Sequence, residues 1–161
     1  MVAIKLSEIV TAVNGRLILN DNLENAGDII IKEIATDTRK ISEGDLFVAL
    51  SGEKFDGHNF IPQAFDKGAK ICISNREDVI VPNDKGLIVV EDTKEALMDL
   101  AAFYRSLFPI PVIAITGSVG KTSTKDMIAS VIGERYNILK TQGNFNNEIG
   151  VPLTVFRLNG H

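Results

Sequence analysis

At 161 residues, 45% hydrophobic and 24% charged, the chain has an ordinary globular composition and the length to bury a core. A formal net charge of −4 with no basic cluster offers no electrostatic footprint for nucleic acid or an anionic membrane. The longest apolar run, near residues 112–115, is too short to span a bilayer, and MVAIKLSEIV lacks the layout of a signal peptide. The single cysteine, Cys72, lies in an apolar run that suits a core thiol, so a soluble cytoplasmic protein is expected.

The chain opens with a short helix. Leu6-Ser7 supplies a staple and N-cap, Ile9, Val10 and Val13 form its apolar stripe, and Gly15 stops it. Strands are predicted at 16–19, 29–34 and 45–50, the last approached through the turn Ser42-Glu43-Gly44-Asp45. A polar, glycine-containing loop over 51–59 leads to a helix near 60–67 that ends at Gly68. A strand at 70–74, a loop over 75–86 and a strand at 87–90 follow, completing a small α/β unit.

Asp92-Thr93 caps a longer helix with Ala96, Leu97, Leu100, Ala101, Tyr104, Leu107 and Phe108 at helical spacing, closed by Pro109 and Pro111. It reads as a connector between domains 1–93 and 94–161. Beyond it the pattern predicts a strand at 112–115, a glycine-rich turn, a helix over 121–134 and a strand near 137–139, the opening of a parallel α/β sheet. The residues that remain are too few for a doubly wound domain, and Leu158-Asn159-Gly160-His161 supplies no capping element. The chain is therefore expected to be a fragment cut within its second domain.

The strongest motif follows the β-branched run Val112-Ile113-Ala114-Ile115. Gly117-Ser118-Val119-Gly120-Lys121-Thr122-Ser123 leads into a helix carrying Met127, Ile128, Val131 and Ile132. Glycines let the backbone turn N–H groups toward an anion, and the helix N-terminus adds partial positive charge there. Lys121 reaches the β- and γ-phosphates of ATP, and the Thr122 hydroxyl can ligate Mg²⁺. Ile115 stands where the longer GxxxxGK[ST] pattern has glycine, so this is the shorter GxxGKT form. The bland reading, a plain turn with a surface lysine, does not account for a strand before the motif and a helix after it.

Two polar segments bracket the strand at 45–50: Thr36-Asp37-Thr38-Arg39-Lys40 and Gly52-Glu53-Lys54-Phe55-Asp56-Gly57-His58-Asn59. They suit a pyrophosphate-bearing ligand, with Arg39 for phosphates and Phe55 or His58 for a base or sugar. From chemistry alone the plainer reading is a turn at Asp37-Thr38 with His58 a solvated residue at the entry to the helix. The stretch Thr141 to Gly150 is dense in side-chain amides at a strand end, where ligands of open α/β sheets bind, or is an ordinary Asn/Gly loop.

In order, DTRKISEGDLFVALSGEKFDGHNFI, ITGSVGKTSTKDMI and LKTQGNFNNEIGVPLTVFRL resemble the Mur ligases over nearly the whole chain. GNFNNEIGVPLT, with Asn146-Asn147 paired, points to the branch that adds D-alanyl-D-alanine to UDP-N-acetylmuramoyl-tripeptide, rather than its sister that adds the third amino acid. The resemblance implies a small N-terminal α/β domain that binds the UDP substrate, then the truncated start of a P-loop parallel-sheet ATPase domain. The C-terminal domain would be absent.

It further implies UDP-substrate contacts at Thr38, Arg39, Asp56, His58, Asn144, Asn146 and Asn147. Gly117, Ser118, Val119, Gly120, Lys121, Thr122 and Ser123 would wrap the phosphates of ATP. Lys121 and Thr122 would be the catalytic residues, with Thr122 on Mg²⁺. The implied chemistry is ATP-driven amide formation through an acyl phosphate, in an enzyme expected to be monomeric at full length and without nucleic-acid or membrane partners. The chain alone, without later Mg²⁺ ligands or an amine site, is expected to be inactive.

A folylpolyglutamate-synthase-like enzyme is opposed by FDGHNFI. A P-loop kinase or GTPase would not place so much chain before the loop. A non-enzymatic nucleotide-binding module would be separated from these by its ligand preferences.

Overall fold

The computed structural model describes residues 1–20, 26–52, 55–143 and 145–159. Its first elements are β1 (Ile4–Lys5), α1 (Leu6–Ala12), β2 (Arg16–Leu19), β3 (Ile30–Ile31), β4 (Ile34–Ala35) and β5 (Leu46–Val48). A small ribbon follows, β6 (Ser51–Gly52) and β7 (Phe55–Asp56), then α2 (Ile61–Asp66), β8 (Ile71–Ser74) and β9 (Gly86–Val89). Three helices complete the chain: α3 (Thr93–Ser106), α4 (Lys121–Gly133) and α5 (Gly150–Val155).

The main sheet runs β2-β9-β8-β5-β4. Strands β4, β5, β8 and β9 are mutually parallel, with Phe47 opposite Cys72 and Cys72 opposite Leu87; β2 alone is antiparallel, Arg16 facing Val89. Strand side chains alternate between faces, so each face makes its own core. Leu46, Val48, Ile71, Ile73 and Ile88 pack with Ile9 of α1 and with Leu97, Leu100 and Tyr104 of α3. Phe47, Cys72 and Leu87 pack on the other side with Ile61, Ala64 and Phe65 of α2. Each fully buried Leu, Ile, Val or Phe side chain among these stabilises the fold by about 1.5–3 kcal/mol. Cys72 is fully buried, as its apolar setting predicted, and desolvation pushes its thiol well above the ordinary range.

Three sequence expectations change. Ser7 is not the N-cap of α1: the Glu8 carboxylate accepts from Lys5 N at 3.0 Å, while the Ser7 hydroxyl donates to the Gly27 carbonyl at 3.1 Å. The strand expected over 29–34 is two strands, because β3 pairs with β1 while β4 pairs with β5. Residues 112–115 and 137–139 are not strands. β-branched composition favours a strand only where another strand pairs with it, and no described segment does; Val112 is 65% exposed.

The helix after Asp92 forms as its cap predicts, with Asp92 Oδ1 accepting from Lys94 N at 2.7 Å and Glu95 N at 3.0 Å. α3 is more than a connector at the surface: it packs on α1 and on α5, and its Tyr104 ring meets Phe108 and Phe156 edge-on. α4 forms over the residues expected, yet buries none of them. Among the described residues no helix is long and apolar enough to cross a membrane.

Candidate functional site

Because β4, β5 and β8 are parallel, their carboxyl ends open onto one edge of the sheet, where ligands of open α/β folds sit. The two polar segments singled out in the sequence leave from β4 and β5 at this edge. A third, Asn75-Arg76, leaves from β8.

After β4, Asp37 makes a tight turn by accepting from Arg39 N at 2.9 Å. The exposed Arg39 guanidinium returns onto the same carboxylate through Nε (2.9 and 3.1 Å) and Nη2 (2.7 Å). Those hydrogen bonds hold the Asp37 carboxyl well below the usual carboxylate range. Thr38 lies inward. It is buried, its hydroxyl donates to Gln63 Oε1 at 2.8 Å, and its carbonyl accepts from Lys67 Nζ at 3.0 Å, so α2 grips this turn.

After β5, the sequence Asp56-Gly57-His58 builds a closed network. Asp56 Oδ1 accepts from His58 N (3.0 Å), His58 Nδ1 (2.7 Å) and the Ser51 hydroxyl (3.0 Å), while Oδ2 accepts from Arg76 Nη2 at 2.6 Å. These donors, His58 first, hold the Asp56 carboxyl well below its ordinary value. The His58 side chain is 3% exposed, and its Nε2 accepts from Asn75 N at 3.4 Å, which leaves the proton on Nδ1 facing Asp56. His58 is therefore not the solvated residue of the bland reading. Gly57 permits this closure: a Cβ there would lie 2.5 Å from the Leu50 carbonyl oxygen, to which Gly57 N donates. Phe55 and Phe60 stack at 5.1 Å between centroids and 18° between planes, with Phe55 half exposed beside the network.

The glycine-containing loop over residues 117–123 has the conformation its glycines suit. Gly120 occupies the N-cap of α4 with φ of 80°, in the left-handed region that favours glycine, and Lys121 begins the helix. Lys121 Nζ folds back to donate to the Gly117 carbonyl. Gly117, Ser118, Val119, Gly120, Lys121, Thr122 and Ser123 are all exposed, so N–H groups at the helix start and the Thr122 hydroxyl are open to a ligand. This donor set fits a nucleotide's phosphates, and a hydroxyl with phosphate oxygens and waters fits Mg²⁺. The following segment is tied alongside: Lys125 Nζ donates to the Thr141 carbonyl at 2.9 Å, and Lys140 pairs with Asp126 at 2.8 Å.

Of the three asparagines singled out, Asn144 lies outside the described residues, and Asn146 is exposed. Asn147 lies just before α5, whose N-cap is Ile149; its Oδ1 accepts from Gly150 N at 2.7 Å and Ile149 N at 3.3 Å, which leaves only its amide nitrogen for other contacts. The structure brings Thr38, Arg39, Asp56 and His58 to one sheet edge. No hydrogen bond or ion pair among the described residues joins that edge to residues 117–123. Sequence reasoning missed Ser51, Gln63, Lys67 and Arg76. Nothing in their spacing marks them, because separate elements bring them together: the ribbon for Ser51, α2 and its C-terminal end for Gln63 and Lys67, and the loop after β8 for Arg76.

Two family profiles match the chain: "Mur ligase family, catalytic domain" over residues 30–105 and "Mur ligase middle domain" over 115–161. A curated relative, the UDP-N-acetylmuramoyl-tripeptide–D-alanyl-D-alanine ligase of Synechocystis, is 50% identical over 131 residues, covering 81% of this chain and 29% of its own. A crystal structure of MurF from Acinetobacter baumannii superposes with a TM-score of 0.83 and 35% identity, covering 98% of this chain and 33% of its own. The MurF ligase of Thermotoga maritima in complex with ADP does so with a TM-score of 0.71 and 34% identity, over 78% and 29%. The chain thus spans about a third of the length of the proteins it matches.

Proposed function

The chain belongs to the Mur ligase family, and from that premise we propose that the whole protein joins D-alanyl-D-alanine to UDP-N-acetylmuramoyl-tripeptide at the expense of ATP. The observation that carries this reading is the likeness along 81% of the chain to a UDP-N-acetylmuramoyl-tripeptide–D-alanyl-D-alanine ligase, with a glycine-turned loop before a helix in its later part. The protein acts in the cytoplasm, where the UDP-linked precursor and ATP are found together.

Residues 1–93 form the unit that holds the UDP substrate, and 94–161 begin the ATP unit, with α3 shared between them. Arg39 serves the UDP substrate at the sheet edge, with Thr38, Asp56 and His58 around it. Asn146 and the amide nitrogen of Asn147, which has no partner among the described residues, serve the muramoyl side of the substrate. In the loop Gly117 to Ser123, backbone N–H groups cradle the phosphates of ATP. Lys121 exchanges the Gly117 carbonyl for the β- and γ-phosphate oxygens, and its charge offsets what builds up on the transferring group. Thr122 offers its hydroxyl to Mg²⁺, which when bound draws charge from the phosphates.

The reaction needs no protein nucleophile. The terminal carboxylate of the tripeptide displaces ADP from the γ-phosphorus and becomes an acyl phosphate. The dipeptide amine then attacks that carbonyl and releases inorganic phosphate. The protein positions the reactants and stabilises charge.

The experiment is a phosphate-release assay on the full-length protein with ATP, Mg²⁺ and UDP-N-acetylmuramoyl-tripeptide. Release that depends on D-alanyl-D-alanine supports the proposal. Release that depends instead on UDP-N-acetylmuramoyl-dipeptide and a free diamino acid assigns the protein to the sister reaction.

A further inference from the structure

We propose that Arg76 meets the diphosphate of the substrate's UDP end, and that Asp56 and His58 are positioning residues that hold Arg76 in place. This inference rests on the function proposed above. It begins from acceptor and donor counts. The Asp56 carboxylate already takes four hydrogen bonds, three on Oδ1 and one on Oδ2. Both ring nitrogens of His58 are engaged inside the protein. Thr38 is likewise consumed by Gln63 and Lys67. None of these three has the capacity to bind an anion without breaking the network that shapes the edge.

Arg76 differs. Its side chain is 48% exposed, and only Nη2 is engaged, on Asp56 Oδ2; among the described residues Nε and Nη1 have no partner. Its backbone is fixed too, because the buried Ser74 hydroxyl accepts from Arg76 N at 2.9 Å and donates to Arg76 O at 3.0 Å. A guanidinium held at one nitrogen, with its other donors turned out at the carboxyl end of a central parallel strand, is pre-organised to meet phosphate oxygens. Arg39, the other arginine of this edge, commits both Nε and Nη2 to Asp37 and keeps only Nη1.

The test titrates UDP and uridine into the chain and into R76A, R76K, D56N and the R76A/D56N double variant, with thermal melts alongside. Wild type is expected to prefer UDP over uridine, and R76A to lose about tenfold or more of that preference while its melting temperature falls by no more than about 4 °C, the loss of one part-exposed ion pair. R76K falls between, since it keeps the charge but not the fork. D56N weakens UDP binding as well, and adds little once Arg76 is gone. If R76A keeps the wild-type preference the assignment of Arg76 is overturned, and if the two substitutions multiply the positioning role of Asp56 is overturned; the ligase reading stands in either case. If wild type itself does not prefer UDP, both fall.

Discussion

The Tyr104 hydroxyl donates to the Leu158 carbonyl at 2.7 Å, tying the helix before the phosphate loop to the segment after it. The same oxygen accepts from Val2 N at 2.7 Å, so one buried atom holds α3, the chain start and the segment after α5 together. Tyr104→Phe keeps the ring but removes two part-buried hydrogen bonds, at a cost of about 0.5–1.5 kcal/mol each. Calorimetric melting should fall by about 2–4 °C for each kcal/mol lost, with the aromatic packing on Phe108 and Phe156 retained.

Gly57→Ala is expected to be one of the more damaging single-methyl changes in the chain. The added carbon would press on the Leu50 backbone, which cannot move without disturbing β5. Overpacking of this kind costs about 1–3 kcal/mol. UDP affinity, measured by titration, should fall as well, because the Asp56–His58 network closes through this turn.

The acid side of the stability profile should report Asp56. Its folded value lies below the ordinary 3.8, so the unfolded chain binds the proton more readily. The stabilisation is full above about pH 3.8 and is lost as the pH falls through the folded value. D56N should flatten that limb in urea unfolding at a series of pH values. Asp45 carries the opposite sign: burial raises its value, so the contribution from its ionisation declines as the pH rises above 3.8. D45N, which keeps an oxygen for Ser42 N, should therefore raise stability at pH 7 relative to pH 3.

At the phosphate loop, Lys121→Ala should weaken ATP binding by tenfold or more, since the charge aimed at the β- and γ-phosphates is gone. Gly120→Ala places a side chain at φ of 80°, a strain of about 1–2 kcal/mol, and should weaken ATP and lower the melting temperature together. K121A should leave the melting temperature close to wild type, because its side chain is exposed.

Much of this was legible in the sequence where the signal is local. Asp92 capping α3, the strand Arg16–Leu19, the helix starting at Lys121 and the glycine-turned loop before it each follow from residues within one or two turns. Local propensity misled at 112–115 and 137–139, because a strand is defined by a partner elsewhere in the chain. Residues 29–34 divided for the same reason. Arg76 was illegible because its meaning comes from Asp56 across two loops. Asn147 reads from the sequence as a ligand contact, and what the sequence does not show is that its oxygen is taken up within the chain by Ile149 N and Gly150 N.

The central claim is tested most directly by titrating UDP-N-acetylmuramoyl-tripeptide into the chain, with GTP and UDP-N-acetylglucosamine as competitors. Binding of the muramoyl tripeptide at least tenfold tighter than either competitor, weakened by substitutions at Arg39 and Arg76 but not at Lys121, is the predicted result. Tighter binding of GTP, abolished by K121A, would contradict it.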